Sequence, residues 1–245
     1  MKKIIIAFLL FLPFNIFSQP DHTMKNMPQY DLKPIHFGFT VGFNTMDFVI
    51  NKSDSFLMSA GKNKFKLDQV YGVESQTNTG INLGPIVNFR LAPFLDFRFL
   101  IVLSFGQRNM LYKVLQDSTH GNYKFNTYTM QIESTFIEFP MLLKYKAKRI
   151  QNFRPYLIAG FNPKYDLAAQ KKIKPEEMPK IRLNSFDMYY EMGTGIDFYF
   201  PFFKLSTEIK YSAGIRNMLQ PDGTQYTTAI SSMKSNIWYF SFHFE

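Results

Sequence analysis

Apolar and polar residues alternate along most of this chain, and the alternation is strictest at its end. In the last stretch Trp238, Phe240, Phe242 and Phe244 fall on one face of an extended strand, while Ser241 and His243 fall on the other. A strand that is fully apolar on one side and polar on the other has one face against hydrocarbon or a core and one against water or a polar interior.

The same period predicts seven earlier strands. Strand one covers about His36 to Phe48, with Ile35, Phe37, Phe39, Val41 and Phe43 opposing His36, Gly38, Thr40, Gly42 and Asn44. Strand two covers about Gly80 to Leu91. Strand three covers about Phe94 to Gln107, where Leu95, Phe97, Phe99, Ile101, Leu103 and Phe105 oppose Asp96, Arg98, Ser104 and Gly106. Strand four ends at Lys146, with Ile137, Phe139, Met141, Leu143 and Tyr145 opposing Glu138, Lys144 and Lys146. Tyr128, Met130 and Ile132 have the other parity, which predicts a bulge or loss of pairing near Ser134. Pro140 needs an unpaired position. Strand five covers about Arg154 to Tyr165, with Leu157, Ala159 and Phe161 outward. Strand six covers about Ser185 to Phe200, where Phe186, Met188, Tyr190, Met192, Ile196 and Phe198 oppose Asp187, Glu191, Gly193, Gly195 and Asp197. Strand seven covers about Phe203 to Gly214, where Lys204, Ser206, Glu208 and Lys210 share the polar face.

The predicted fold is all-β: an eight-stranded antiparallel transmembrane β-barrel with short periplasmic turns and long extracellular loops. The links near Ala92-Pro93, Lys148 to Phe153 and Pro201-Phe202 are short, and those at 49–79, 108–126, 166–184 and 215–235 are long. That asymmetry is the rule for outer-membrane barrels, and an even strand count brings both termini to the periplasmic side. The Phe-rich face is expected to meet lipid, because a Lys or Arg facing mid-bilayer costs about 2–4 kcal/mol. Phe37, Phe39, Phe97, Phe99, Phe198, Trp238, Phe240, Phe242 and Phe244 form this lipid-facing or partner-facing wall. The lumen is expected to hold a polar network of Arg90, Asp96, Arg98, Glu138, Lys144, Glu191, Asp197, Lys204, Glu208 and Lys210. Arg90 should face Asp96; Lys204 should lie opposite Asp197 or one diagonal away; Lys210 should meet Glu191 or Gly193. Eight strands enclose side chains rather than a channel, which argues against a diffusion porin.

Composition sharpens this. Lys2 and Lys3 lead an apolar run from Ile4 to Phe17, followed by Ser18-Gln19. We expect residues 1–18 to be a signal peptide cut after Ser18, residues 19–34 a loose periplasmic lead segment, and residues 35–245 the barrel. The run is too short for a membrane-spanning helix. The chain has no cysteine among 245 residues, so disulfides and thiolate metal sites are excluded. Its net charge is +9, but a secreted barrel is not expected to bind nucleic acid.

The segments Pro34–Asp47, Phe136–Tyr145 and Arg154–Gly160 resemble those of PorT-family outer-membrane barrels of the Bacteroidetes, whose signal peptides often end near Ser-Gln. The Ile137–Tyr145 pattern is shared by a wide barrel superfamily; the 36–47 stretch is more particular to PorT. The resemblance implies a non-enzymatic part in type IX protein secretion and gliding-motility support. It also implies contacts with other secretion components, including the large translocon barrel, besides outer-membrane lipids and lipopolysaccharide. No cofactor is implied.

Two other readings compete. A lipid A-modifying enzyme would need a rim histidine, and only His120, beside Asp117 and Ser118, is placed for it; that cluster is also ordinary turn composition. An OmpA-like envelope stabiliser would be expected to carry a peptidoglycan-binding domain, and none follows the barrel. His36 and His243 should approach across the seam between first and last strands, more simply as hydrogen-bonded lumen residues than as metal ligands. Lys171, Lys172, Lys174, Lys180 and Arg182 populate an outer loop that either contacts lipopolysaccharide phosphates or is plainly solvated. Lys174-Pro-Glu-Glu-Met could form a helical turn, and Phe56-Leu57-Met58 an apolar patch that packs on another loop or a partner.

Overall fold

The computed structural model describes residues 25–53, 70–119, 122–169, 181–221 and 225–245. The expected signal peptide, His120, Lys171, Lys172, Lys174, Lys180 and Phe56-Leu57-Met58 lie outside them.

Eight antiparallel staves make the wall. They are β1 (Ile35–Lys52), β2 (Val70–Ala92), β3 with β4 (Leu95–Leu100 and Val102–Thr119), β5 with β6 (Asn122–Glu138 and Met141–Lys146), β7 (Phe153–Asp166), β9 (Phe186–Tyr199), β10 (Lys204–Gly214) and β12 (Ile230–Phe244). Two short strands, β8 (Arg182–Leu183) and β11 (Leu219–Gln220), pair with each other, and a single helical turn, α1, spans Gln225–Thr228. Each stave pairs with its sequence neighbour, and β1 pairs with β2 on one edge and β12 on the other, so the ladder returns to its start. The short connections, 93–94, 147–152 and 200–203, share one end, here the turn end; the opposite end is the loop end.

Prolines explain the two broken staves. Pro140 separates β5 from β6, and its carbonyl accepts from Leu100 N. Pro85 sits inside β2 at the level of the β3–β4 break, where Ile101 N donates to its carbonyl; Phe139 N donates to Pro163 O one stave further on. Residues without an N–H thus sit on three of four neighbouring staves at one level, where the ladder is already interrupted. Gly84 belongs to the same zone. A side chain there would strike the Ile101 carbonyl, so the close approach of β2 to the next stave needs glycine.

Near Ser134 no bulge forms, since β5 pairs with β4 in continuous register there and the shift in that pair falls between Leu115 and Asp117, but the expected loss of pairing does occur on the other side, where the ladder to β7 stops at Phe136. Met130, Ser134, Phe136 and Glu138 all turn inward in one parity. The segment at 108–126, expected to be loop, is mostly strand for the same reason. Met110, Tyr112 and Val114 point in, while Gln107, Asn109 and Lys113 point out. Near the loop end the alternation has changed sign. Inside are Phe48, Val73, Met110, Tyr112, Met130 and Met233, closed over by Ile181, Leu183, Met218 and Leu219 of the β8–β11 region. Outside are Glu74, Gln76, Thr127, Thr129, Gln131, Glu133 and Lys234. Apolar-in and polar-out is the pattern of a barrel standing in water. Apolar-out over Phe37–Phe43, Ile137–Tyr145 and Trp238–Phe244 is the pattern of a barrel standing in lipid.

The lead segment is also ordered where described. A 3-10 turn, Tyr30–Leu32, lies against the turn end, and of residues 25–34 only Tyr30 is buried. Tyr30 stacks on His36 at 4.1 Å. The expectation of a loose lead is corrected for these residues, because a buried aromatic and several polar contacts hold them to the barrel.

Candidate functional site

The middle of the barrel is filled by charge. Eight basic side chains, Arg98, Arg108, Lys144, Lys146, Arg154, Lys164, Lys204 and Lys210, are buried with eight carboxyl groups, those of Asp96, Glu138, Asp166, Asp187, Glu191, Asp197, Glu208 and Glu245. Isolated charges could not be buried there; pairing and hydrogen bonding make it possible. Arg98 reaches across the lumen to Glu208 at 2.6 Å and takes Asn88 Oδ1 at 2.9 Å. Tyr156 donates its hydroxyl to the same Glu208 at 2.9 Å. Lys144 meets Asp197 at 2.7 Å, and Ser206 donates to Asp197 at 2.5 Å. Lys210 meets Glu191 at 2.7 Å. Tyr239 donates to Glu138 at 2.7 Å, and Lys164 lies 3.4 Å from Glu138.

Several anticipated partners differ. Arg90 does stand opposite Asp96 in the ladder, but Asp96 takes Lys146 at 2.6 Å while Arg90 donates to Leu32 O at 3.2 Å. Arg90 sits at the rim, where its long side chain reaches the lead instead. Lys204 stands opposite Tyr199, one diagonal from Asp197, and its ion partner is Glu245 at 2.8 Å. His36 and His243 do not form a seam pair. β1 and β12 are neighbours, but the stagger puts Thr40 opposite His243. Four residues along a strand offset the two positions by about 13 Å. His36 bonds Tyr30 O at 2.8 Å, and His243 lies 3.3 Å from Glu208. No cluster of three or more metal-ligating side chains occurs among the described residues.

The sequence pattern does not single out Arg108, Arg154, Lys164 or Asp166 of this network. Arg108 donates to Ser235 at 2.8 Å and to Ser134, and lies 4.1 Å over the Phe48 ring, at the step between charged middle and apolar loop end. Asn162, Lys164 and Asp166 lie on the inward face of β7, where Tyr156 and Ile158 blur the contrast between apolar and polar sides. Glu245, also outside the expected set, continues the polar face of Ser241 and His243, and its burial follows from that alternation.

The outer wall carries Phe37, Phe39, Phe97, Phe99, Phe198, Trp238, Phe240, Phe242 and Phe244 on the side away from the lumen; Phe37 is 72% exposed. Near the turn end Phe200 stacks on Phe203 at 4.9 Å, Phe203 lies 6.3 Å from Phe244, and Phe244 stacks on Phe39 at 4.8 Å. This ring-to-ring band crosses four staves at the level where barrels carry an aromatic girdle.

The turn end is shut by the lead. Tyr30 donates to Glu245 at 3.0 Å and covers the Lys204 ammonium, whose Nζ is 4.7 Å from the ring centre. Burial, and then the Glu245 carboxylate, push the Tyr30 phenol well above its ordinary value, so it stays a donor. Asp31 accepts from the Tyr199 hydroxyl at 2.9 Å and meets Arg154 at 3.2 Å. With the apolar packing at the loop end, both ends of the charged lumen are covered among the described residues.

An antiparallel ring that is greasy outside and charge-paired inside defines a transmembrane β-barrel of the outer-membrane kind. The chain belongs to the outer membrane protein beta-barrel domain family, which matches residues 17–220. Its place is therefore the outer membrane. Among solved structures it is similar to the outer membrane protein OprG from Pseudomonas aeruginosa (10% identity, 84% of this chain and 93% of that one, TM-score 0.43). It is also similar to the outer membrane protease OmpT from Escherichia coli (11% identity, 91% and 98%, TM-score 0.42). A third is Neisserial surface protein A (11% identity, 84% and 95%, TM-score 0.36). No curated protein matches the sequence.

Proposed function

We propose that this barrel is a non-enzymatic component of the type IX protein export machinery, which docks or steadies the translocon from within the outer membrane. The observation that carries the reading is the lumen. It is packed with paired charges and covered at both ends, so the chain's work falls to its wall, its rim and its two ends. The resemblance of Pro34–Asp47 and Phe136–Tyr145 to PorT-family barrels points that work toward export. In this reading the turn end and both termini face the periplasm, and the loop end stands outside the cell. Partners are outer-membrane lipids, lipopolysaccharide and other export components, including the large translocon barrel.

The test is the secretome of a deletion strain. Loss of type IX cargo from the medium, with intact membranes and unchanged lipid A mass, is the expected result. Normal export with fragile membranes would favour an envelope stabiliser instead, and an altered lipid A mass would favour an enzyme.

A further inference from the structure

The mouth at the turn end holds a carboxylate site that the chain fills with its own residue. Around Asp31 stand Arg154 at 3.2 Å, the Tyr199 hydroxyl at 2.9 Å and Arg149 at 3.8 Å. All three belong to the barrel, and Asp31 belongs to the lead. Both guanidinium groups are fixed without Asp31. Arg154 donates to Ala147 O at 2.6 Å and to Pro93 O at 2.9 Å. Arg149 donates to Gln151 O at 2.8 Å and lies 3.6 Å over the Tyr199 ring. Gln151 itself is held at φ 51°, in the left-handed region that a glutamine avoids unless its surroundings impose it. Beside the cations is an aromatic slot, filled by Tyr30 between His36 (4.1 Å, stacked) and Tyr199 (6.0 Å, edge-on).

The occupant is held by polar contacts and one buried ring, with little apolar surface beneath it. Tyr30 is the one buried residue of 25–34, and Met27 is kept at φ 46°. The lead's contacts are mostly side chain to backbone: Asn26 N to Asn152 Oδ1 at 2.9 Å, Asn26 Nδ2 to Tyr199 O at 2.9 Å, and Arg149 to Asn26 O. Segments with so little buried surface open far below the global unfolding free energy. When this one leaves, it takes Asp31 with it. Among the described residues, Asp31 is the only carboxylate within ion-pair distance of Arg149 or Arg154. Two fixed, half-enclosed guanidinium groups then lack an anion.

We propose that this mouth is a binding site for a short peptide, occupied in cis by Asn26–Leu32 and exchangeable for a segment of another envelope protein that presents an aromatic followed by a carboxylate. The proposal stands apart from the export role, because it is tested on the purified barrel.

The experiment uses the full chain in detergent or nanodiscs and a labelled peptide of the sequence Lys25–Pro34. In a Tyr30→Ala/Asp31→Asn variant the tethered segment is released, and the peptide should bind saturably by fluorescence anisotropy. It should bind the unsubstituted barrel at least about tenfold more weakly, since the tethered copy competes at high effective concentration. A peptide carrying Asp31→Asn should also lose about tenfold. No saturable binding to the released barrel, equal binding of the Asp31→Asn peptide, or complete displacement by millimolar inorganic phosphate would each overturn the proposal. Should the double variant misfold, the chain's lack of cysteine allows a single label at Lys25→Cys in an otherwise unsubstituted barrel. Excess peptide must then raise the mobility of that label; an unchanged signal overturns the proposal as firmly.

Discussion

An arginine series along one stave tests where lipid ends. On β5–β6 the outward residues are Gln131, Thr135, Met141 and Tyr145, with Phe139 and Leu143 between. From Tyr145 to Thr135 is about 10 residues; at about 3.3 Å each and a tilt near 40°, they climb about 25 Å, which is the height of the apolar band of such barrels. Met141 therefore lies close to mid-bilayer, Thr135 at the boundary and Gln131 in water. Met141→Arg should cost about 2–4 kcal/mol and Thr135→Arg about 0–1 kcal/mol, while Gln131→Arg should cost nothing measurable. The assay is guanidinium unfolding of the barrel in lipid vesicles, followed through Trp238, the sole tryptophan. The inward neighbour Met130, fully enclosed in the apolar loop end, gives the converse: Met130→Arg should be costly although it lies beyond the membrane. A flat profile, with Gln131→Arg as damaging as Met141→Arg, would refute the idea that the alternation changes sign at the membrane surface.

Glu208→Leu leaves Arg98 with no carboxylate nearer than Glu245 at 3.8 Å, and should cost about 3–5 kcal/mol in the same unfolding assay. Adding Arg98→Met should restore most of that loss; a double variant weaker than the single one would mean the pair is not the source. Gly84→Val should cost about 1–3 kcal/mol, because its side chain would meet the Ile101 carbonyl, and wild-type stability would show that the staves do not approach so closely. In planar bilayers the purified barrel should give no steady ion-conducting steps, and porin-sized steps would show that the lumen is open.

Most of the wall was legible from period-two alternation alone, because lipid and a charged interior are strong, opposite solvents for alternate residues. Asp197, Glu208 and Lys210 could be placed inside simply because they alternate with Phe198, Thr207 and Ile209. What failed was the assumption that one parity rule holds from end to end. Tyr112 and Met130 obey the same period with the faces exchanged, which a rule carried up from the lipid zone reads as loop or irregularity. Periodicity also says which residues turn inward but not which will meet. Arg98 and Glu208 are 110 residues apart, and their contact follows only from closure and stagger. The lead was unreadable for another reason. Tyr30 and Asp31 make no periodic pattern, and their contacts depend on Arg154, Tyr199 and Glu245, which only the closed ring brings together.

The distances in sequence between paired polar side chains bear on how the molecule comes to exist. Lys144 finds Asp197 53 positions later, Glu138 finds Tyr239 after 101, and Tyr30 finds Glu245 after 215. A half-finished ribbon therefore displays bare ammonium and carboxylate groups along one side, and none of them can enter hydrocarbon alone. Biogenesis must keep that side wet until the first and last staves zip together, so insertion and closure are a single late event. Contacts of such long range make that event slow.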